Sequence, residues 1–253
     1  MRHMTIAFDR VAEVYDTTRG LPEEVMKDII AVFERIMSRD TLILDAGVGT
    51  GRFALPMQER GFEVVGLDVA QKMLSKAREK GLLNLFRGDL CSLPFMDSSF
   101  QFTISVHVLH LIADWKRALG EIGRVTTDEF LSVLSLKDDS PAQEVGKVYE
   151  EACMKLGHEV RHVGMKEREL VDMLPPDSMR KLLIYEHTVD VSKLVEGYQE
   201  RLFSNLWAVP EDVHEQAMEV MRDKFENVST LLEVEDIRLA SWSAPKLRHF
   251  CSL

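Results

Sequence analysis

Cysteine is scarce: Cys91, Cys153 and Cys251 are the three in 253 residues, odd in number and widely scattered. That argues against a disulfide framework or a clustered zinc site and fits a reducing compartment. Long apolar runs are missing too; none approaches the roughly 20 residues that cross a bilayer. The stretch MRHMTIAFDR has no apolar core of the kind a signal peptide needs. The expected location is therefore cytoplasmic, without a membrane span. Basic charge is in short supply: 31 Lys and Arg face 42 Asp and Glu, for a formal charge of −11. With no dense basic patch, such a surface repels phosphate backbones, which argues against nucleic acid as a substrate. Internal repeats, low-complexity tracts and linkers do not occur. What is there is a globular composition, 45% hydrophobic and 29% charged. It suits one large α/β domain over residues 1–253, with room for an inserted subdomain.

The most informative stretch is TLILDAGVGTG, Thr41 to Gly51. A short apolar run ends in Asp45, and glycines then fall at Gly47, Gly49 and Gly51. This pattern predicts a buried strand feeding a tight loop, with a helix beginning near Arg52. Glycine there lets a ligand approach the backbone closely. A dinucleotide loop would need G-x-G-x-x-G, but its last position is Arg52, so the spacing is G-x-G-x-G behind an acid.

Strands and helices then alternate. Pro22 opens a helix with Val25, Ile29, Phe33 and Ile36 on one face. Helices are expected over Phe53–Arg60, Ala70–Lys80 and Asp114–Val125. Strands are expected over Phe62–Asp68, in LLNLFRGD ending at Asp89, and over Phe100–Val108 and Glu129–Lys137. Such alternation implies a mainly parallel sheet whose ligands bind beyond the carboxyl ends of its strands. Asp45, Asp68, Asp89 and the Ser105–His107 stretch lie at those ends and should converge on one crevice.

With GLDVAQKML (66–74), GDLCSLPF (88–95), SFQFTISVHVLHLIADW (99–115) and the opening FDRVAEVYD, the glycine loop resembles the class I S-adenosylmethionine-dependent methyltransferases. The similarity is to their ubiquinone/menaquinone-biosynthesis-like branch (methyltransferase type 11) and covers residues 8–137. It implies a Rossmann-like α/β sheet, mostly parallel with its last strand antiparallel, helices on both faces and a helical insertion or lid. It also implies S-adenosylmethionine as cofactor. By resemblance Asp68 binds the ribose hydroxyls, since a carboxylate accepts both hydrogens. Asp89 accepts from the adenine amino group, Leu90 adds backbone contact, and Val69 or Met73 lies against the ring. Gly47 and Gly49 approach the methionine end, while Tyr15 closes over the cofactor and Arg19 meets its carboxylate. Each has a plainer alternative: Asp68 as a helix cap, Asp89 as a turn residue, Tyr15 and Met73 as packing. His110 could orient or deprotonate an acceptor hydroxyl, or simply be hydrogen-bonded within a helix start.

The family's K-P-G-G turn is replaced by RVTTDEF (124–130), and Leu111 stands where the family often has a second histidine. Its amino-methylation motif [DN]-P-P-[YFW] does not occur, and Ser105 and His107 stand where metal-dependent members place an acid; no metal is expected. His158 and His162, spaced i, i+4, read as a solvated face. Beyond Lys137, helices are expected over Pro141–Leu156, Met165–Leu174, Lys193–Trp207 and Pro210–Phe225, a strand over Leu182–Val191, and a strand pair in LEVEDIRLASWSAP. Residues 193–227 suit either an acceptor lid, with Tyr198 and Arg201 sharing a helical face, or a fixed layer. The expected function is methyl transfer to a small-molecule acceptor. The alternatives are a non-catalytic S-adenosylmethionine-binding protein and, against the charge, an RNA methyltransferase.

Overall fold

The computed structural model describes residues 8–16, 21–137 and 140–252. Among these, seven strands form one sheet in the order β3-β2-β1-β4-β5-β7-β6. They are β1 (Leu42–Ala46), β2 (Glu63–Asp68), β3 (Asn84–Arg87), β4 (Phe100–Ile104), β5 (Thr126–Leu136), β6 (Ser178–Asp190) and β7 (Thr230–Ser243). The sheet is mostly parallel with one antiparallel pair. β1 runs parallel to both β2 and β4, pairing Asp45 with Gly66 on one side and with Ile104 on the other. The strand order therefore reverses between β1 and β4. In an open α/β sheet that reversal opens a crevice at the carboxyl ends of the two strands.

The helices are α1 (Glu23–Ile36), α2 (Ala54–Glu59), α3 (Gln71–Glu79), α4 (Trp115–Val125), α5 (Gln143–Lys155), α6 (Glu167–Met173), α7 (Val191–Gln199), α8 (Glu211–Phe225) and α9 (Ala244–Ser252). Pro22 caps α1, where a missing N–H costs nothing, and Val25, Ile29 and Phe33 are buried as their spacing requires. Pro56 sits in the first turn of α2. α4 packs on α9 at Gly123, where a Cβ would stand 3.0 Å from the Leu247 Cβ.

The described residues divide into two compact units. The first comprises Met1–Leu134, Gly164–Leu182 and Arg238–Leu253; the second, Ser135–Val163 and Leu183–Ile237. The second has its own apolar core, where Val145, Tyr149 and Cys153 of α5 meet Ala217, Met218 and Met221 of α8.

Several expected boundaries move, each for a local reason. The strand expected over Phe100–Val108 ends at Ile104, because His107 takes a left-handed φ of 58° that no strand continues through. The third strand stops at Arg87, two residues short of Asp89. α4 passes into β5 with no turn between them. The buried Thr126 does the work of the absent K-P-G-G: its hydroxyl donates to the Ile122 carbonyl at 2.6 Å and lies 2.6 Å from the Thr103 hydroxyl on β4. LEVEDIRLASWS is one long strand rather than a pair. The helix expected over Lys193–Trp207 ends at Gln199, and Arg201, at φ 51°, turns the chain toward a short 3-10 turn, Ser204–Leu206. Tyr198 and Arg201 therefore share no helical face. His158 and His162 lie outside any helix, so their spacing defines no face either.

Candidate active site

Within the first unit a pocket opens beyond the ends of β1 and β4. It is lined by Gly47 and Gly49 after β1, by Asp68 at the end of β2 with Val69 and Met73 beyond it, and by Leu90. Val106, His107, Val108, Leu111 and Ile112 after β4 form another wall, and Phe8 and Tyr15 come from the N-terminal segment.

The glycine loop is shaped by close contact. Gly47 has φ 88°, and a Cβ there would lie 2.4 Å from Val108 Cγ2, well inside van der Waals contact. Gly49 differs: its φ is 55° and nothing lies within 4 Å of where its Cβ would be. A bare backbone facing open space in a pocket is what a ligand lying against the loop requires. The Gly49 N–H donates to Asp68 Oδ2 at 2.9 Å, and the Ala70 N–H donates to Asp68 Oδ1 at 2.8 Å. Asp68 thus anchors the start of α3 and the glycine loop at once. Each carboxylate oxygen keeps a further acceptor position, so structural anchoring and ligand binding are compatible.

Burial raises the Asp68 carboxyl above its usual range, opposed by bonds from Ala70 and Gly49. Asp45 is fully buried behind it. Burial first, then the neighbouring Asp68 charge, push its carboxyl up to about 7.

Tyr15 and Phe8 are held by a tethered segment. The Lys72 N–H donates to Asp9 at 2.7 Å, Lys76 pairs with Glu13 at 2.7 Å, and Asp16 accepts from the Thr50 hydroxyl at 2.6 Å. Phe8 and Tyr15 meet edge to face at 6.0 Å and pack against the buried Met73. Met73 is accordingly both core and pocket wall.

Of the residues expected in the site, Tyr15, Gly47, Gly49, Asp68, Val69, Met73 and Leu90 come together around the pocket. Others do not line it. Ser105 is buried and its hydroxyl donates to the Ala46 carbonyl at 2.7 Å, stapling β4 to β1. Asp89 accepts from the Cys91 N–H at 2.9 Å, the bond of a turn residue. Asp45 lies beneath the loop. His110 is turned toward Glu167, its Nδ1 4.0 Å from Oε2. Arg19 lies outside the described residues.

The Ser105–His107 stretch expected at the crevice contributes Val106 and His107 to the lining, but sequence reasoning missed Val108, Leu111 and Ile112, because the segment beyond read as strand and then as a histidine question. It also missed Glu167, whose carboxylate accepts from the Val108 N–H at 3.0 Å. Burial raises that carboxyl, opposed by backbone N–H donors at His107, Val108 and Leu109. One group with potential metal-ligand geometry occurs among the described residues: His187, Glu233 and Glu235 of the second unit. Lys137 already pairs with Glu233 at 3.0 Å and with Glu235 at 3.1 Å, so an ammonium occupies the place a cation would take.

The fold and the position of this pocket are those of a class I S-adenosylmethionine-dependent methyltransferase domain, and comparison with known proteins agrees. A family model described as "Methyltransferase domain" matches residues 44–129. Over that segment the chain matches the S-adenosylmethionine-dependent methyltransferase domain, and S-adenosylmethionine is the cofactor the match implies. It is 30% identical to a malonyl-[acyl-carrier protein] O-methyltransferase of Serratia marcescens over 146 residues, 57% of this chain and 56% of that protein. It is 28% identical to uncharacterized protein MJ1123 of Methanocaldococcus jannaschii, over 76% of this chain and 93% of that one. The chain spans about half the length of the malonyl-[acyl-carrier protein] O-methyltransferases it matches, 56% in Serratia marcescens and 54% in Yersinia pestis. Among solved structures, a putative methyltransferase from an antibiotic biosynthesis pathway of Anabaena variabilis shares the fold. The TM-score is 0.60 at 14% identity, covering 89% of this chain and 98% of that one.

Proposed function

We propose that this chain is an enzyme that transfers a methyl group from S-adenosylmethionine to a small-molecule acceptor. The observation that carries the reading is the pocket at the β1/β4 reversal. There the bare backbone at Gly49, the doubly anchored Asp68 and the apolar Val69, Met73 and Leu90 face one space. This combination fits a nucleoside with an amino-acid tail: an acceptor for ribose hydroxyls, apolar side chains for a base, and exposed backbone for the tail.

In this reading Asp68 accepts from the ribose hydroxyls, while Val69, Met73 and Leu90 flank the adenine. Tyr15 and Phe8 cover the pocket and exclude water. S-adenosylmethionine supplies a methyl group activated on a sulfonium, which an acceptor atom takes by in-line displacement. The protein's part is alignment and desolvation. The segment Val106–Ile112 offers mostly apolar side chains, with His107 as its polar member, and His110 is directed at Glu167 instead. We therefore favour positioning over proton transfer by His110.

A small-molecule acceptor is supported by the charge of −11. No helix among the described residues is long and apolar enough to cross a membrane. With three free cysteines, a cytoplasmic setting is the natural proposal. Residues 193–227 are proposed as a cover on the acceptor side; the support is their placement between β6 and β7, outside the strand-helix alternation. The test is a methyl-transfer screen over a metabolite library, carboxylic acids and their thioesters included, read by release of S-adenosylhomocysteine. Acceptor-dependent release is expected. Tight binding of S-adenosylhomocysteine with no turnover on any acceptor would favour a non-catalytic binding protein.

A further inference from the structure

We propose that Glu167 is a positioning residue, a latch that holds the segment after β4 in the shape that lines the pocket. Its carboxylate comes from a stretch of chain 59 residues further on. Oε1 accepts from the Val108 N–H at 3.0 Å, and the neighbouring His107 and Leu109 amides favour the charged carboxylate. No strand or helix pairing is available to the Val108 amide where the chain leaves β4, and a buried amide without an acceptor is costly.

The same stretch grips the segment a second time. The Gly164 N–H donates to the His110 carbonyl at 3.0 Å and the Met165 N–H to the Leu109 carbonyl at 3.2 Å. The approach is so close that a Cβ at Gly164 would stand 2.1 Å from the Leu109 carbonyl oxygen. Directly before these grips His107 holds φ 58°, a conformation a non-glycine residue keeps only where its surroundings over-determine it.

The consequence reaches the pocket by contact. Val108, whose N–H Glu167 holds, presses its side chain onto the bare Cα of Gly47. Val106, His107, Val108, Leu111 and Ile112 are all pocket wall. Glu167 does not line the pocket, so it acts through these residues and not on the ligand. A glutamine cannot replace it: one side-chain oxygen accepts, but the amide brings two donors toward backbone N–H groups.

The inference rests on the reading that this pocket takes the cofactor, and the experiment separates the two. Amide hydrogen exchange and S-adenosylhomocysteine calorimetry are run on the full chain and on Glu167→Gln. In the wild type, the Val108 amide should exchange as slowly as the amides of β4. In Glu167→Gln, exchange at residues 107–109 should quicken while β2 and β5 stay protected. Affinity for S-adenosylhomocysteine should fall by about tenfold, the scale of one hydrogen bond to a charged group. A Glu167→Gln chain with wild-type exchange and affinity would overturn the latch. Rapid exchange at Val108 in the wild type would overturn it whatever the variant does. If exchange quickens but neither chain binds S-adenosylhomocysteine, the latch stands and the assignment of the pocket falls.

Discussion

The two compact units bury their titratable groups on opposite terms. In the first, the carboxylates of Asp68 and Glu167 are held by backbone N–H groups at the pocket and behind its wall. In the second, the Tyr149 hydroxyl and His214 Nδ1 meet at 2.6 Å inside an apolar core, each fully buried. Main-chain donors fix a carboxylate's place and leave part of its accepting capacity for a ligand. A sealed side-chain pair gives uniqueness of packing and turns nothing toward solvent. A buried titratable group is thus a site marker only where the backbone around it opens to a pocket.

The largest expected effect lies at Gly47. Gly47→Val meets Val108 head-on and demands a φ that a β-branched residue scarcely adopts. Strain alone costs about 1–3 kcal/mol, and S-adenosylhomocysteine binding should vanish by calorimetry. Gly49→Ala sharpens the point. With nothing within 4 Å of the added Cβ, the cost to stability should be only ~1 kcal/mol by denaturant titration. Binding should still be lost, because the methyl group enters the ligand's space. Gly81→Ala, also with open surroundings but remote from the pocket, should leave binding intact.

Next is Asp68→Asn, which keeps one acceptor oxygen and sets an amide against the Gly49 or Ala70 N–H. Binding should weaken by about 1.5–3 kcal/mol. Tyr149→Phe is the counterpart in the second unit. It strands His214 and should destabilise that unit by about 1–3 kcal/mol, with S-adenosylhomocysteine affinity unmoved.

The effects on pH dependence run in opposite directions. Burial, and then Arg201, lower the His214 pKa below its ordinary 6.5, so the unfolded chain binds the proton more readily. Its contribution is present above 6.5 and is lost as pH falls below that value. Asp45 is raised from 3.8 to about 7, so its contribution is fully present below 3.8 and is lost as pH rises through 7. Against Asp45→Asn, the wild type should therefore lose relative stability between acid and neutral pH in thermal melts. Against His214→Gln, it should lose relative stability on acidification.

Most of the first unit was legible because its signals are local. TLILDAGVGTG gives strand and loop within eleven residues, with the helix just after, and acids at or just beyond the ends of β1, β2 and β3 mark the carboxyl edge. Glu167 was not legible: an acid opening a helix reads as a dipole partner, and what it holds lies 59 residues away. Thr126 was equally silent, since nothing near it announces a buried cap joined to Thr103. In the second unit, Arg201 broke an apparently continuous helical pattern. Its side chain bonds the Val209 carbonyl at 2.8 Å and pairs with Glu211 at 2.9 Å, while Trp207 Nε1 donates to the Arg201 carbonyl at 2.7 Å. These tertiary bonds override helix propensity there.

The central claim is that the pocket between the glycine loop and the segment after β4 takes the cofactor. The most direct measurement is calorimetric titration of S-adenosylhomocysteine into the wild-type chain and into Gly49→Ala, each verified as folded. Saturable one-to-one binding by the wild type, absent from the variant, is the predicted result. Equal affinity in the two, or no binding by the folded wild type, would contradict it.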